Sequence, residues 1–383
     1  MSIPARAYLD SASAEPLHPA AHATLAAALD QGWADPRRLH HEGRRARLLL
    51  DNAREVVAEA FAVRPDEVTF TSSGTDAVHR GLLGLHRGRR TGTSAAGTLV
   101  HSAVEHSSVL HAARWTQDPV VEVPVTRTGV VTPQALRERL EQLTEAGTRA
   151  SVAAIQHANH EVATIQPVAE LLEELGDVPL FLDACASAGR VALPDGWAAA
   201  AASAHKWGGP AGVGVLLVRK GARWRNPFPG DDRVDERGSG FENVPAALAA
   251  AAALQAVTAE RADLAARQTA LVDRVRSTVA ALPDVEVAGE AVQRLPHLVT
   301  FSCLYVDGEA LVTELDRRGV AISSGSACTA STLEPSHVLA AMGVLTHGNV
   351  RLSLTRDSGD AEVDHLLDVL PEVVRDLRAQ VGL

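Results

Sequence analysis

Between about Leu49 and Val218 the chain alternates short apolar or β-branched runs with longer stretches whose apolar residues recur at helical spacing. The runs are EVTFT (67–71), GTLVHS (97–102), VVEVPV (120–125), SVAAIQH (151–157), PLFLDA (179–184) and GVGVLLVRK (212–220). Strands separated by helix-length intervals predict a doubly wound, mostly parallel sheet with helices on both faces. From Pro245 to Leu282 strong helix formers carry apolar residues at helical spacing, which predicts one helix long enough to cross between domains. Beyond it, HLVTFSCLYV and NVRLSLT read as strands, and VDHLLDVLPEVVRDLRAQV reads as a closing amphipathic helix. The fold class is α/β: a large α/β domain followed by a smaller α+β domain.

Composition narrows the function classes. A chain of 383 residues that is 46% hydrophobic can bury a sizeable core, and its net charge of -11 argues against a nucleic-acid footprint on the chain as a whole. The first ten residues, MSIPARAYLD, hold no apolar leader core, and AALAAAAALQAV (246–257) is too short to span a bilayer, so a cytoplasmic location is expected. Three cysteines, Cys185, Cys303 and Cys328, cannot build a disulfide framework or a complete cysteine zinc site, and no metal is expected. Cys303 lies in an apolar run and reads as core. Cys328 lies in SSGSACTAS, where serines and glycine disfavour regular structure and leave a thiol accessible.

The lysine usage is the sharpest chemical signal. Of 36 Lys+Arg only two are lysines, Lys206 and Lys220. An ε-amine can lose its proton and attack a carbonyl, which a guanidinium cannot. Lys220 leaves an apolar strand run, where an exposed lysine is the default. Lys206 sits in SAHKWGGP, a glycine-rich turn. Three other features fall at predicted strand ends. Ser72, Ser73, Gly74 and Thr75 lead from a strand into a helix and form a candidate phosphate cradle, although a capped helix reads the same way. His106 begins the helix after the next strand, and Asp183 closes PLFLD. A phosphate cradle, a ring-stacking histidine, a buried acid and a near-unique lysine are together what pyridoxal phosphate requires.

These residues, with YLDSASAEP, AVEHSSVL, ANHEVATIQP, FLDACASAGRV, GFENVP and above all SSGSACTASTLEPSHVL, make the chain similar to the long-loop cysteine desulfurases among the class V aminotransferase-like PLP enzymes. The resemblance implies an aspartate aminotransferase-like fold, with a seven-stranded sheet in a large domain over 16–250 and a small domain formed by 1–15 and 251–383. It implies Lys206 as the Schiff-base lysine, His106 stacked on the cofactor ring and acting as acid/base, and Asp183 on the pyridine nitrogen. Gly74, Thr75, Ser203 and His205 would hold the phosphate. Asn159 and His160 would stand near the cofactor, and Arg351 would clamp the substrate carboxylate. Cys328 would take sulfur from L-cysteine as a persulfide, leaving L-alanine, and pass it to an acceptor protein. A homodimer is implied.

Four positions depart from the family pattern: His160 for an asparagine, Ala186 for a glutamine, Phe241 for a threonine and His79 for an asparagine. They suggest a specialised member. A selenocysteine lyase, an aminotransferase or a non-catalytic PLP-fold scaffold would share most of the pattern. Iron–sulfur assembly, tRNA or cofactor thiolation and DNA phosphorothioation would all begin with the same persulfide.

Overall fold

The structure, a computed structural model, describes residues 6–89, 97–230, 236–238, 240–324 and 335–382. In chain order the elements begin with β1 (Ala7–Tyr8), α1 (Pro19–Leu29), α2 (His41–Ala60), β2 (Val68–Thr71), α3 (Gly74–Gly88), β3 (Thr98–Ser102), α4 (Ser107–Trp115) and β4 (Val120–Val123). Then come α5 (Pro133–Glu145), β5 (Ala150–Gln156), α6 (Val168–Leu175), β6 (Leu180–Asp183), β7 (Ala199–Ser203), β8 (Gly214–Val218) and α7 (Val244–Ala280). The chain closes with β9 (Val285–Ala288), β10 (Leu298–Cys303), α8 (Gly308–Arg317), β11 (Val320–Ala321), α9 (His337–Met342), β12 (Asn349–Ser353) and α10 (Asp360–Gln380).

Seven strands form the large sheet in the order β2-β8-β7-β6-β5-β3-β4. All neighbours from β7 to β4 run parallel, while β8 is antiparallel to both β7 and β2. The reversal follows from the connection. A parallel return needs a crossover of a dozen or more residues, and only residues 204–213 separate β7 from β8. β7 is the one strand of this seven-stranded sheet absent from the predicted runs. Its sequence is AAAAS, and alanine ordinarily favours helix. Here Ala199 and Ala201 face the layer containing α3 and α4, while Ala200 and Ala202 face the core shared with α7. Two covered faces and two hydrogen-bonded neighbours override the local preference.

The small side chains let the helical layer come close. An ideal Cβ built at Gly81 of α3 would stand 2.4 Å from Phe181 Cε2, so only glycine fits between helix and sheet there.

A second core forms around β9, β10 and β12. β10 is the middle strand, antiparallel to both neighbours. Its apolar residues pack with α8, α10 and the C-terminal part of α7. The N-terminal segment joins this core, because β1 pairs with β11 and Leu9 is fully buried. The predicted long helix is α7, 37 residues from Val244 to Ala280. Its first half buries alanines against the large sheet, and Leu271, Val272, Val275 and Val279 enter the second core. Among the described residues no helix is long and apolar enough to cross a membrane.

Candidate active site

The carboxyl ends of the parallel strands open onto a cavity of about 160 Å³, where the loops entering the helices converge. It is lined by Ser73, Gly74, Thr75, His106, Gln156, His160, Asp183, Cys185, Ala186, Ser203, His205 and Lys206, among others. Most of the predicted site residues therefore share one wall.

Lys206 ends a short 3₁₀ turn, Ala204–Lys206, directly after β7. The next residue fixes the turn: Trp207 is fully buried, donates Nε1–H to the Ala250 carbonyl at 3.1 Å and sets its ring edge-on to Phe61. Gly208 follows at φ 81°, a backbone state that favours glycine. Lys206 is thus anchored by a buried tryptophan on one side. Lys220, by contrast, is exposed at the end of β8.

Asp183 closes β6 opposite Gln156 of β5 and is buried. Its Oδ1 accepts the Cys185 amide N–H at 2.9 Å. The Cys185 thiol is pushed well above its usual range by burial and by the Asp183 charge, so it stays an S–H on the cavity wall. Ser203, at the end of β7, pairs with His205 Nδ1 at 3.1 Å, and Ser73 Oγ caps α3 through the Asp76 amide. Gly74 begins α3, where an ideal Cβ would meet Ser203 Cβ at 2.7 Å and Cys185 Sγ at 3.1 Å. The cradle is thus a backbone surface shaped by a missing side chain.

His106 is the N-cap of α4. Its Nδ1 receives the Ser108 amide N–H at 3.1 Å. An amide can only donate, so Nδ1 is the acceptor and the neutral ring carries its proton on Nε2. Burial lowers the His106 pKa, with Lys206, His337 and His79 adding repulsion against the attraction of Asp183. The acid/base expectation is therefore narrowed. The neutral ring offers a donor at Nε2, and accepting a proton at Nδ1 would break a helix cap. His160 lies edge-on to His106 at 5.0 Å, and burial, followed by His106, Lys206 and Arg351, holds it well below the usual histidine range.

Two predicted residues stand behind this wall. Asn159 does not line the cavity: its Oδ1 accepts the amides of Glu161 and Val162, and its Nδ2 donates to the Val104 carbonyl. Its side chain is spent on holding the loop that carries His160. Arg351, in the middle of β12, is buried and reaches the wall through Nη1, which donates to the His160 carbonyl at 3.2 Å. Cys328 lies outside the described residues, as do Gly325, Ser326 and Thr329. The described residues flanking that segment are tied beside the site. Ser323 exchanges backbone bonds with Arg351, and His337 Nε2 pairs with the Glu105 carbonyl at 2.9 Å. Of the departures, Ala186 lines the cavity, His79 keeps a buried Nε2 without a partner, and Phe241 is 53% exposed away from the cavity.

Three residues beyond the predicted site residues, Gln156, Glu105 and Asp10, also stand at the cavity or bond to residues beside it. Gln156 lines the cavity and closes β5, and its place near the end of the SVAAIQH run was a usable signal. Glu105 touches the site from beneath and Asp10 from across the fold, and no local pattern marks either.

Residues 7–366 match the aminotransferase class-V family. The IscS-like cysteine desulfurase of Mycobacterium tuberculosis is 36% identical, with 96% of each chain covered. The cysteine desulfurase IscS of Dictyoglomus turgidum is 33% identical, covering 97% of this chain and 95% of its own. The chain belongs to the cysteine desulfurases of the class V aminotransferase family. A solved NifS-like protein superposes with a TM-score of 0.86 at 26% identity, covering 97% of this chain and all of its own. Cysteine desulfurases of this family use pyridoxal phosphate, and the cavity fits it. A glycine-shaped cradle at a helix N-terminus suits a phosphate, Asp183 is a buried acid, His106 supplies an aromatic ring, and Lys206 supplies the amine.

Proposed function

We propose that this chain converts L-cysteine to L-alanine and collects the sulfur as a persulfide on Cys328 for delivery to an acceptor protein. The observation that carries the reading is the placement of Lys206, Asp183, His106, Gly74, Thr75, Ser203 and His205 around one cavity at the strand ends. Bound there, pyridoxal phosphate supplies an electron sink that makes bonds at the substrate's α- and β-carbons labile.

The chain's own residues do the rest. Gly74 and Thr75, with Ser203 and His205, hold the phosphate. Asp183 offers its carboxylate to the protonated ring nitrogen. Lys206 holds the cofactor and, once released as an amine, takes the substrate's α-proton on Nζ. His106 stacks on the ring and donates from Nε2. Arg351 binds the α-carboxylate, and His160 faces the same space. The Cys328 thiolate attacks the substrate sulfur: the sulfur–sulfur bond forms as the β-carbon–sulfur bond breaks, and the carbon skeleton takes up protons to leave as L-alanine.

In this reading the chain works in the cytoplasm as a homodimer, with a large domain over 16–250 and a small domain from 1–15 and 251–383. The test is the absorbance of the purified protein with and without L-cysteine, beside Lys206→Ala and Cys328→Ser. The expected result is a visible cofactor band missing from the lysine variant, with alanine and sulfide formed only when Cys328 is present. Alanine formation at the wild-type rate by the Cys328 variant would overturn the persulfide step.

A further inference from the structure

Arg351 already holds a carboxylate. Its Nη2 donates to Asp10 Oδ1 at 3.0 Å and to Ser13 Oγ at 2.7 Å, so both Nη2 hydrogens are engaged. Nη1 gives one hydrogen to the His160 carbonyl. Nε is buried without a partner. A carboxylate grips a guanidinium bidentately along an edge. The two edges open to it, Nε with Nη2 and Nη1 with Nη2, both run through Nη2. As long as Asp10 and Ser13 hold that nitrogen, an incoming carboxylate has no complete edge to take, although the free Nε–H stands ready as half of one.

Asp10 is built to let go by its side chain alone. Its backbone is fixed, bridging to Ser353 of β12, and Tyr8 Oη donates to the carbonyls of Asp10 and Ala14 across the same turn. Ser13 Oγ also donates to Asp10 Oδ1 at 3.0 Å, a second partner that can keep the carboxylate nearby when it leaves the arginine. Asp10 is the more exposed member, at 21% for its side chain against 4% for Arg351.

We propose that Asp10 is a resident carboxylate that occupies the Arg351 clamp and is exchanged for the substrate's α-carboxylate. The inference rests on Arg351 being that clamp. The exchange swaps one carboxylate for another, so the buried guanidinium never stands uncompensated, a state that is strongly unfavourable. It also selects ligands: an amine without a carboxylate has nothing to offer Arg351 and leaves the Asp10 pair intact. Asp10 is then a specificity-determining residue, and its occupancy weakens the apparent affinity for every amino-acid ligand by the fraction of time the clamp is closed.

The experiment titrates the cofactor-loaded protein with L-alanine, reading the cofactor absorbance and the ligand-induced rise in Tm. Asp10→Asn, which keeps the size and loses the charge, binds L-alanine about tenfold tighter if the clamp is open about one-tenth of the time in the wild type. Its Tm rise is correspondingly larger. Ethylamine, which lacks the carboxylate, shows no such gain. In an Arg351→Ala background the Asp10 substitution changes nothing. If Arg351→Ala abolishes L-alanine binding while Asp10→Asn leaves it unchanged or weaker, Asp10 supports the clamp and the exchange is wrong. If Arg351→Ala binds L-alanine as well as the wild type, it is the clamp itself that fails. Asp10→Ser carries the same prediction should the asparagine variant not fold.

Discussion

Glu105 allows a test of how the site controls charge without any reference to turnover. It is completely buried between the end of β3 and His106. Oε1 accepts the Ser102 hydroxyl at 2.5 Å and the Gln156 amide at 2.8 Å, and Oε2 has no partner. Burial pushes its pKa from 4.5 up to about 8, with repulsion from Asp183 in the same direction and the two hydrogen bonds opposing. The side chain is thus a neutral acid at pH 7. Because the folded-state value is raised, this group's contribution to stability is fully present below about pH 4.5 and is lost as the pH rises toward 8. Over that window the loss is about 1.4 kcal/mol per pH unit, on the order of 4–5 kcal/mol in total.

Glu105→Gln keeps an acceptor at the Oε1 position and can never ionise. Urea unfolding of both proteins, each loaded with cofactor, is expected to show similar stabilities near pH 5. The variant then gains on the wild type steadily as the pH is raised toward 8. Parallel stability–pH curves would refute the reasoning, since they would mean that Glu105 ionises in the folded protein at no cost. The functional stake is Asp183, which keeps its place on the wall without a second anion beneath it.

Three further outcomes are expected. Gly74→Ala puts a methyl 2.7 Å from Ser203 Cβ; overpacking of this kind costs about 1–3 kcal/mol, so cofactor affinity falls roughly tenfold or more, and an unchanged titration of the cofactor-free protein would show slack in the cradle. Glu15→Gln leaves Arg190 buried without its anion, because Glu15 Oε2 accepts Arg190 Nη2 at 2.5 Å with both side chains about 5% exposed; unfolding should report a loss of about 3–5 kcal/mol, and no measurable loss would mean water reaches the pair. Phe181→Ala removes a fully buried ring between α3 and the sheet, with an expected cost of about 3–5 kcal/mol in denaturant unfolding; a much smaller loss would mean that the helix closes the gap.

What was legible in the sequence followed from local rules. Six strands of the large sheet could be marked from apolar or β-branched runs: five are buried along nearly their whole length, where a strand has no reason to carry polar residues, and β4, an exposed edge strand, was marked by its valines alone. The span of α7 could be read because helix formers and apolar spacing agree along it. β7 escaped because AAAAS has no β-branched or aromatic residue. Its state is decided by β6 and β8 on either side, which no window on the sequence contains. Lys206 was found by rarity, and Asp183 and Gly74 by their positions at strand ends, which are properties of the chain read in order.

The residues that escaped act across the fold. Asp10 and Arg351 are 341 positions apart and meet only because the N-terminal segment lies against β12. Neither position alone says that the Arg351 guanidinium is already paired with a carboxylate. Glu105 stood in plain view beside His106, but its neutrality comes from the sheet and from Gln156 closing over it. The same holds for His106. Its place on the cavity wall could be anticipated from the motif, whereas its tautomer depends on the Ser108 amide and exists only once α4 has formed. Residue identity therefore marked most of the groups that line this cavity. Their protonation and their partners, which decide which of them can give or take a proton or a carboxylate, were set by the packing of distant segments.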